Sequence, residues 1–148
     1  MSEIIIQLAA LYSDYLRDME RITREQHNLR GAFARLLGGS AAGTGSDSCN
    51  DRFTEGLTAL VDKLSEGCSC EDASAVIGYV IDPARESDAP QPARLMIQAV
   101  HGCVLPLVEA LSRTDAGRLA AEYSASLAGS APLPVQKQLL SALRKRGE

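Results

Sequence analysis

The chain is poor in aromatic residues: its 148 residues include no tryptophan, two phenylalanines and four tyrosines. A core built from this composition is mainly aliphatic. Alanine and leucine outnumber the β-branched residues, and this balance favours helices over strands. A chain of this length can bury one substantial core but is too short for two comfortable domains. The composition therefore predicts a single all-α domain over residues 1–148.

The sequence also lacks a long apolar run and a basic leader. The longest uncharged apolar stretch, residues 95–108, has fourteen residues and contains His101 and Pro106. A membrane-spanning helix needs about 20 apolar residues. The isoleucines near the amino terminus follow Glu3 rather than a positively charged segment, which is not the pattern of a signal peptide. We therefore expect a soluble, cytoplasmic protein with no membrane partner.

Positive charge is scarce in the middle of the chain. Residues 38–112 hold eleven acidic and four basic residues, which gives a net charge of −7. An acidic surface repels a phosphate backbone, so the sequence argues against a nucleic-acid partner. Three basic residues at 144–146 come near the end of the chain, where cations in the last turn of a helix stabilise its dipole. This cluster therefore has a structural explanation.

The first 37 residues carry the clearest pattern in the sequence. Apolar or aromatic residues recur in alternating steps of three and four, which is the heptad spacing of a coiled-coil seam over about four and a half repeats. A helix over residues 1–37 would span roughly 50 Å and exceed a compact domain of this size. We therefore expect part of the seam to meet a second chain. The predicted interaction seam consists of Ile5, Leu8, Tyr12, Tyr15, Met19, Ile22, Gln26, Leu29, Phe33 and Leu36.

A segment rich in glycine and serine, residues 38–49, follows the heptad helix and predicts a flexible loop. Residues 50–148 are predicted to form a helical bundle, which brings the total to about six helices. The second helix is expected to begin near Ser48 or Asn50. Ser69 starts a sequence that resembles a capping box for the third helix.

Prolines mark the later boundaries. The third helix is expected to stop at Pro83, and the proline-rich residues 83–92 predict an exposed loop. The run that follows has apolar residues on more than one face, Leu95 among them, which is typical of a central helix. Pro106 is expected to kink that helix. Thr114 is then expected to cap a shorter helix, and a final helix is expected from residue 134.

The segment HNLRG, residues 27–31, contains one of the two histidines. In the heptad register His27 occupies an outward b position, with Arg30 at e and Gly31 at f. The pattern resembles that of histidine-containing phosphotransfer domains, and the run into AFARLL is similar to the H box of sensor kinases. The resemblance implies that His27 accepts a phosphoryl group, Arg30 favours its charge and Gly31 leaves room for a response regulator. Phosphotransfer at His27 is one alternative hypothesis, and a solvated residue on the outer face of the helix is the simpler interpretation.

The cysteines raise the question of a metal or redox site. Together with His101, the thiols of Cys68, Cys70 and Cys103 offer nitrogen and sulfur ligands of the kind that zinc prefers. Residues two apart on a helix point about 200° apart, so His101 and Cys103 are poorly placed to reach one ion. The spacing favours Cys103 as a small core residue and the other two as loop thiols. A thiol-based metal or redox sensor using Cys68 and Cys70 is the second alternative hypothesis.

The remaining sequence offers little for catalysis. No pair of acidic residues is placed for general acid–base chemistry, and the glycine-rich segment lacks the lysine of a phosphate-binding loop. We therefore expect a non-catalytic protein-interaction module: an adaptor, a chaperone-like protein or an inhibitory regulator. It would self-associate as a homodimer or bind a protein partner through helical faces. We expect no cofactor and no catalytic residue.

Overall fold

The computed structural model of the protein describes the backbone of residues 3–37 and 44–148, and the side chains of residues 3–24 and 48–148. Within these ranges all regular structure is helical, which confirms the predicted all-α bundle. The described residues form seven α-helices and one 3₁₀ helix. In chain order these are α1 Glu3–Leu37, α2 Thr44–Ser65, α3 Cys70–Ile81, α4 Pro83–Ser87, α5 Gln91–Ala99, the 3₁₀ helix Val100–Ala110, α6 Arg113–Leu127 and α7 Pro134–Gly147.

The 3₁₀ helix lies at the centre of the bundle. It continues directly from α5 and packs against α2, α3 and α7. The longest helix, α1, packs against α2, α3 and α5, and α6 packs against α7 and α3. Buried apolar side chains from α1 to α3 and from α5 to α7 form one continuous cluster. This cluster is the core on which the surface features described below are built.

The amino-terminal half of the heptad seam lies inside this core. Leu8, Tyr12, Tyr15 and Met19 each expose 3% or less of their surface. In the described part of α1, the seam therefore packs against other helices of the same chain. The later seam positions, Gln26, Leu29, Phe33 and Leu36, lie outside the residues whose side chains the structure describes.

The loop predicted at residues 38–49 is too long, because α2 begins at Thr44 rather than near Ser48 or Asn50. One contact with α1 lies near the start of this helix. The Tyr15 hydroxyl donates a hydrogen bond of 2.6 Å to Asn50 Oδ1 and so ties the first turns of α2 to α1. A pattern of neighbouring residues cannot predict this contact, because its two residues are 35 positions apart in the chain. The rest of the predicted loop lies outside the described residues.

Side-chain caps place the ends of α3 and add a helix after it. The Ser69 side chain accepts a hydrogen bond from the Asp72 backbone N–H, as predicted. Asp82 ends α3 and also caps α4, whose first residue is Pro83. The prediction of an exposed loop over residues 83–92 is therefore wrong for α4 and for the start of α5 at Gln91, and Ala89 between them is buried. An aspartate followed by proline stops one helix and is also a favourable start for the next.

Pro106 changes the type of the central helix. The chain is α-helical through α5 and then forms a 3₁₀ helix of 11 residues that contains this proline. Proline has no backbone N–H, and its ring clashes with the carbonyl four residues earlier, so a regular α-helix cannot continue through it. The distortion that the sequence predicts at Pro106 takes the form of a 3₁₀ helix, which is tighter than an α-helix and covers 11 residues.

The prediction that Leu95 faces the core is wrong, since 64% of its surface is exposed. On α5 only Ala93 and Ile97 are buried, so neighbouring helices cover a single face of α5. The 3₁₀ helix that follows is covered from several directions. The sequence predicts a central helix over the whole run. Only its second half, the 3₁₀ helix, is surrounded by other helices.

By length and composition alone, the continuous run Gln91–Ala110, with a mean hydropathy of 1.2, could cross a membrane. Its side chains include Ile97, Val104 and Leu107, which are fully buried in the bundle. The core helix of a globular bundle has the same composition. Only 39% of the most apolar part of the run is buried, so the core accounts for part of its apolar character.

The last two helices begin at local signals. Ser112, rather than the predicted Thr114, caps α6 by accepting a hydrogen bond of 3.1 Å from the Asp115 backbone N–H. The spacing of serine and acid is the same as at the start of α3. The start of α7 at Pro134 agrees with the prediction.

Two glycines provide a matched test of the packing of α7. A methyl group added at Gly102 would lie 3.2 Å from Val135 Cβ, whereas one added at Gly117 meets nothing within 4 Å. We expect Gly102→Ala to lower the free energy of unfolding by about 1 kcal/mol, because overpacking outweighs the gain in helix propensity. Gly117→Ala should raise it by roughly 0.5 to 1 kcal/mol. Urea denaturation of both variants checks this, and equal stabilisation by both would contradict the close approach of α7.

Candidate functional site

A cleft of about 360 Å³ lies between α1 and the polypeptide around α4. This volume is at the lower end of the range of small-ligand pockets. One wall is a face of α1, and the other is formed by the end of α3, by α4 and by the residues that follow α4. The cleft is lined by Ala9, Tyr12, Ser13, Leu16, Arg17, Glu20, Tyr79, Arg85, Asp88 and Pro90.

The short helix α4 positions Arg85 in this cleft. Asp82 Oδ1 accepts a hydrogen bond of 2.9 Å from the Ala84 backbone N–H, and Pro83 pre-sets the backbone of the first turn. The Arg85 guanidinium carbon then lies 4.0 Å from the centre of the Tyr79 ring. This is a cation–π contact, which contributes about 0.5 to 2 kcal/mol depending on exposure. Stacking on Tyr79 therefore holds the guanidinium at the cleft.

Two side chains that line the cleft each carry a hydrogen-bond donor that is shielded from solvent and has no partner among the described residues. The donors are the Tyr12 hydroxyl and Arg85 Nε. Burial, more than the neighbouring groups, raises the pKa of Tyr12 well above its ordinary value, so the hydroxyl keeps its proton at neutral pH. A buried donor without an acceptor costs about 1 to 3 kcal/mol. Both groups would gain from an acceptor that enters the cleft.

Two of the four charged side chains that line the cleft are paired. Arg17 forms a salt bridge with Asp14, and Glu20 lies 3.5 Å from Arg24. Within the described part of the chain, Arg85 pairs with no carboxylate. It is therefore the cation in the cleft that is most available to an anionic group.

A second polar arrangement is sealed inside the bundle, where His101, Tyr123 and Gln136 join the 3₁₀ helix, α6 and α7. His101 Nδ1 lies 2.7 Å from the Tyr123 hydroxyl and 3.4 Å from Gln136 Nε2. Gln136 Oε1 accepts a hydrogen bond of 2.8 Å from the Leu133 backbone N–H. Burial lowers the pKa of His101 to about 4. The imidazole is thus neutral at pH 7. In the tautomer with the proton on Nε2, the single lone pair of Nδ1 accepts the shorter hydrogen bond from Tyr123, and Gln136 Nε2 is the more distant donor.

The structure does not assemble the zinc ligands considered from the sequence. His101 contacts Tyr123 and Gln136, whereas Cys103 Sγ lies 3.8 Å from Thr58 Oγ1. In the part of the chain that the structure describes, no three His, Cys, Asp or Glu side chains are grouped to hold a metal ion. Cys103 is half-buried against the core, so it acts as a packing residue.

Cys68 and Cys70 are both free thiols at the start of α3. Cys68 lies in the preceding loop, and Cys70 is the first residue of the helix and is exposed. Burial and, to a lesser extent, the negative charge of Asp72 raise the pKa of Cys68. A raised pKa lowers the fraction of reactive thiolate at neutral pH. The surroundings of Cys68 therefore favour a loop thiol over a redox centre.

The phosphotransfer residues His27, Arg30 and Gly31 belong to α1, but their side chains lie outside the described residues. Phosphotransfer through His27 therefore stays a prediction from the sequence.

Comparison with known proteins gives no match: no family model, no curated protein and no solved structure matches this chain.

The sequence alone does not predict either polar arrangement, because each depends on residues that are distant along the chain. A partial signal exists for one of them. The Asp82–Pro83 pair could have predicted α4, and with it the placement of Arg85.

Proposed function

We propose that the protein is a non-catalytic interaction module in which α1 binds a second helix, either from another copy of the chain or from a protein partner. The observation that carries this proposal is the length of α1, which runs for 35 residues without a break. At 1.5 Å per residue it spans about 52 Å. A compact chain of this size has a radius of gyration of about 15 Å, so the helix exceeds the breadth of such a body.

The heptad pattern supports a contact beyond the core. From Leu8 to Met19 the seam is buried within the chain. The same spacing continues in the sequence through Leu29 and Phe33, as it would in a helix that pairs again further along. A polar residue at the seam position of Gln26 would help to fix the register of that pair, at some cost in stability.

The buried polar groups support a binding or structural role rather than acid–base catalysis. His101 is enclosed by its hydrogen-bond partners, and Tyr12 keeps its proton at neutral pH. We propose that the module regulates its partner as an adaptor, a chaperone-like protein or an inhibitor. We place it in the cytoplasm, where its four free cysteines would remain reduced.

The double substitution of Leu29 and Phe33 by glutamate tests the pairing of α1. We expect the unmodified protein to have twice the mass of the monomer in size-exclusion chromatography with light scattering, and the double variant to have the mass of the monomer. Charges at two seam positions disfavour association, while the part of the seam that packs within the chain is unchanged. The matched control places glutamate at the outward register positions Asn28 and Ala34, and should remain dimeric.

A monomeric unmodified protein at all concentrations would contradict self-association. Affinity purification from the source cells then tests the partner helix. A partner that is retained by the control and lost by the double variant supports the proposal. Equal recovery with both variants contradicts it.

A further inference from the structure

We propose that the cleft between α1 and α4 is a binding site for a small organic monocarboxylate. Its carboxylate would accept hydrogen bonds from Arg85 and Tyr12, and its apolar body would lie against Leu16 and Tyr79. This inference is independent of the pairing of α1, since it uses a different set of residues.

The need for an acceptor follows from the two buried donors. The Tyr12 hydroxyl and Arg85 Nε–H both lack an acceptor among the described residues, and the Tyr79 ring contacts both side chains. Tyr12 is 2% exposed, and its ring centre lies 5.5 Å from that of Tyr79. One carboxylate has two oxygens with lone pairs for several donors, and a guanidinium is a favourable partner for it. The exposed hydroxyl of Ser13 lies at the same cleft.

The charge of the cleft favours a single negative charge on the ligand. Of the two arginines that line the cleft, Arg85 pairs with no carboxylate among the described residues, whereas Arg17 pairs with Asp14. The carboxylates of Glu20 and Asp88 line the same cleft. They would repel a dianion such as sulfate more strongly than a monoanion.

The apolar part of the lining selects the body of the ligand. Ala9, Leu16 and Pro90 contribute aliphatic surface, and Tyr79 contributes part of a ring. Small-ligand sites typically combine such surface with a few polar groups that fix orientation. The volume of about 360 Å³ suits a short aliphatic or monocyclic acid.

Binding requires a movement of Arg85, since its Nε and the Tyr12 hydroxyl are both shielded from solvent. Arg85 is half-buried on a helix of five residues, and its long side chain can rotate away from the Tyr79 ring. The loss of the stacking contact is offset by charge-assisted hydrogen bonds to the carboxylate. The Nε–H group of Arg85 is therefore a direct reporter of binding.

Nuclear magnetic resonance of the whole protein tests the site, with hexanoate as the probe. We expect saturable shifts of the Arg85 Nε–H signal and of amide signals from α1 and α4. Hexanamide, which has the same shape without the charge, should bind at least about 10-fold more weakly. Inorganic sulfate should give no saturable shift. Absence of saturation by hexanoate, or equal binding of hexanamide or sulfate, overturns the proposal.

Two variants test whether Arg85 and Tyr12 are the donors that bind hexanoate. Arg85→Gln should weaken hexanoate binding by about 10-fold or more, and Tyr12→Phe by roughly 3- to 10-fold. Tyr12→Phe removes a hydroxyl without a partner, so the variant should fold, and its thermal unfolding verifies this. Arg113→Gln, an exposed arginine on α6, is the control for net charge and should leave the affinity unchanged. Unchanged affinity in both cleft variants, or an equal loss in the control, overturns the site.

Discussion

Leu8→Ala should lower the free energy of unfolding by about 3 kcal/mol, while Leu95→Ala should change it by less than about 0.5 kcal/mol. The two leucines lose the same atoms, but Leu8 is 0% exposed in the core and Leu95 is 64% exposed on α5. Truncation of a fully buried leucine removes its transfer free energy and leaves a cavity that the surrounding helices fill only in part. Urea unfolding followed by circular dichroism measures both values.

The same experiment tests whether the first half of the heptad seam belongs to the fold of one chain. Leu8 packs in the core formed by helices of its own chain. The loss of stability in Leu8→Ala should therefore be independent of protein concentration. A loss that disappears at high concentration would place this part of the seam at an interface between chains.

Stability should fall by up to about 3 kcal/mol between pH 6.5 and pH 4 because of His101. Burial lowers the pKa of His101 to about 4 in the folded protein, whereas an exposed histidine has a pKa near 6.5. Between these values the unfolded chain binds a proton that the folded chain does not. The stabilisation is therefore complete above pH 6.5 and is lost as the pH falls to 4. The magnitude follows from about 1.36 kcal/mol per pH unit.

Comparison of two histidine variants assigns this dependence. His101→Gln should flatten the decline of the free energy of unfolding between pH 6.5 and pH 4. His27→Gln removes the other histidine of the chain and should retain the decline. Chemical denaturation at several pH values gives the slopes. Equal slopes in the unmodified protein and His101→Gln would show that His101 is not the group responsible.

When His101 is protonated, the contacts of α6 and α7 with the 3₁₀ helix should weaken first. The Tyr123 hydroxyl and the Gln136 amide both donate toward His101 Nδ1, so protonation of that nitrogen removes their acceptor. Gln136 also accepts a hydrogen bond from the Leu133 backbone at the start of α7. Hydrogen exchange in α7 should therefore increase before exchange in α2 as the pH is lowered.

Much of the helical architecture could be predicted from local sequence. The cap at Ser69 and the start of α7 at Pro134 agree with the predictions. Each of these features depends on residues within a few positions of one another. The periodicity of apolar side chains and the hydrogen-bonding capacity of a serine or aspartate beside a backbone N–H determine them.

The candidate sites could be predicted only in part. Tyr12 was identified as a seam residue, but its hydroxyl lies near Arg85, which is more than 70 positions later in the chain. The sequence predicts a loop at Arg85, whereas the structure has α4 there. His101 was considered as a metal ligand, whereas Tyr123 and Gln136 make it a buried acceptor.

The sequence by itself determined the helical class, the amphipathic faces and several helix ends, because these depend on backbone and side-chain preferences over short distances. Only the tertiary structure decided that Leu95 is exposed and that part of the heptad seam is internal. The tertiary structure also placed Tyr12 beside Arg85 and surrounded His101 with its two partners. Burial and pairing are properties of contacts between distant segments, and no local pattern specifies which segments will meet.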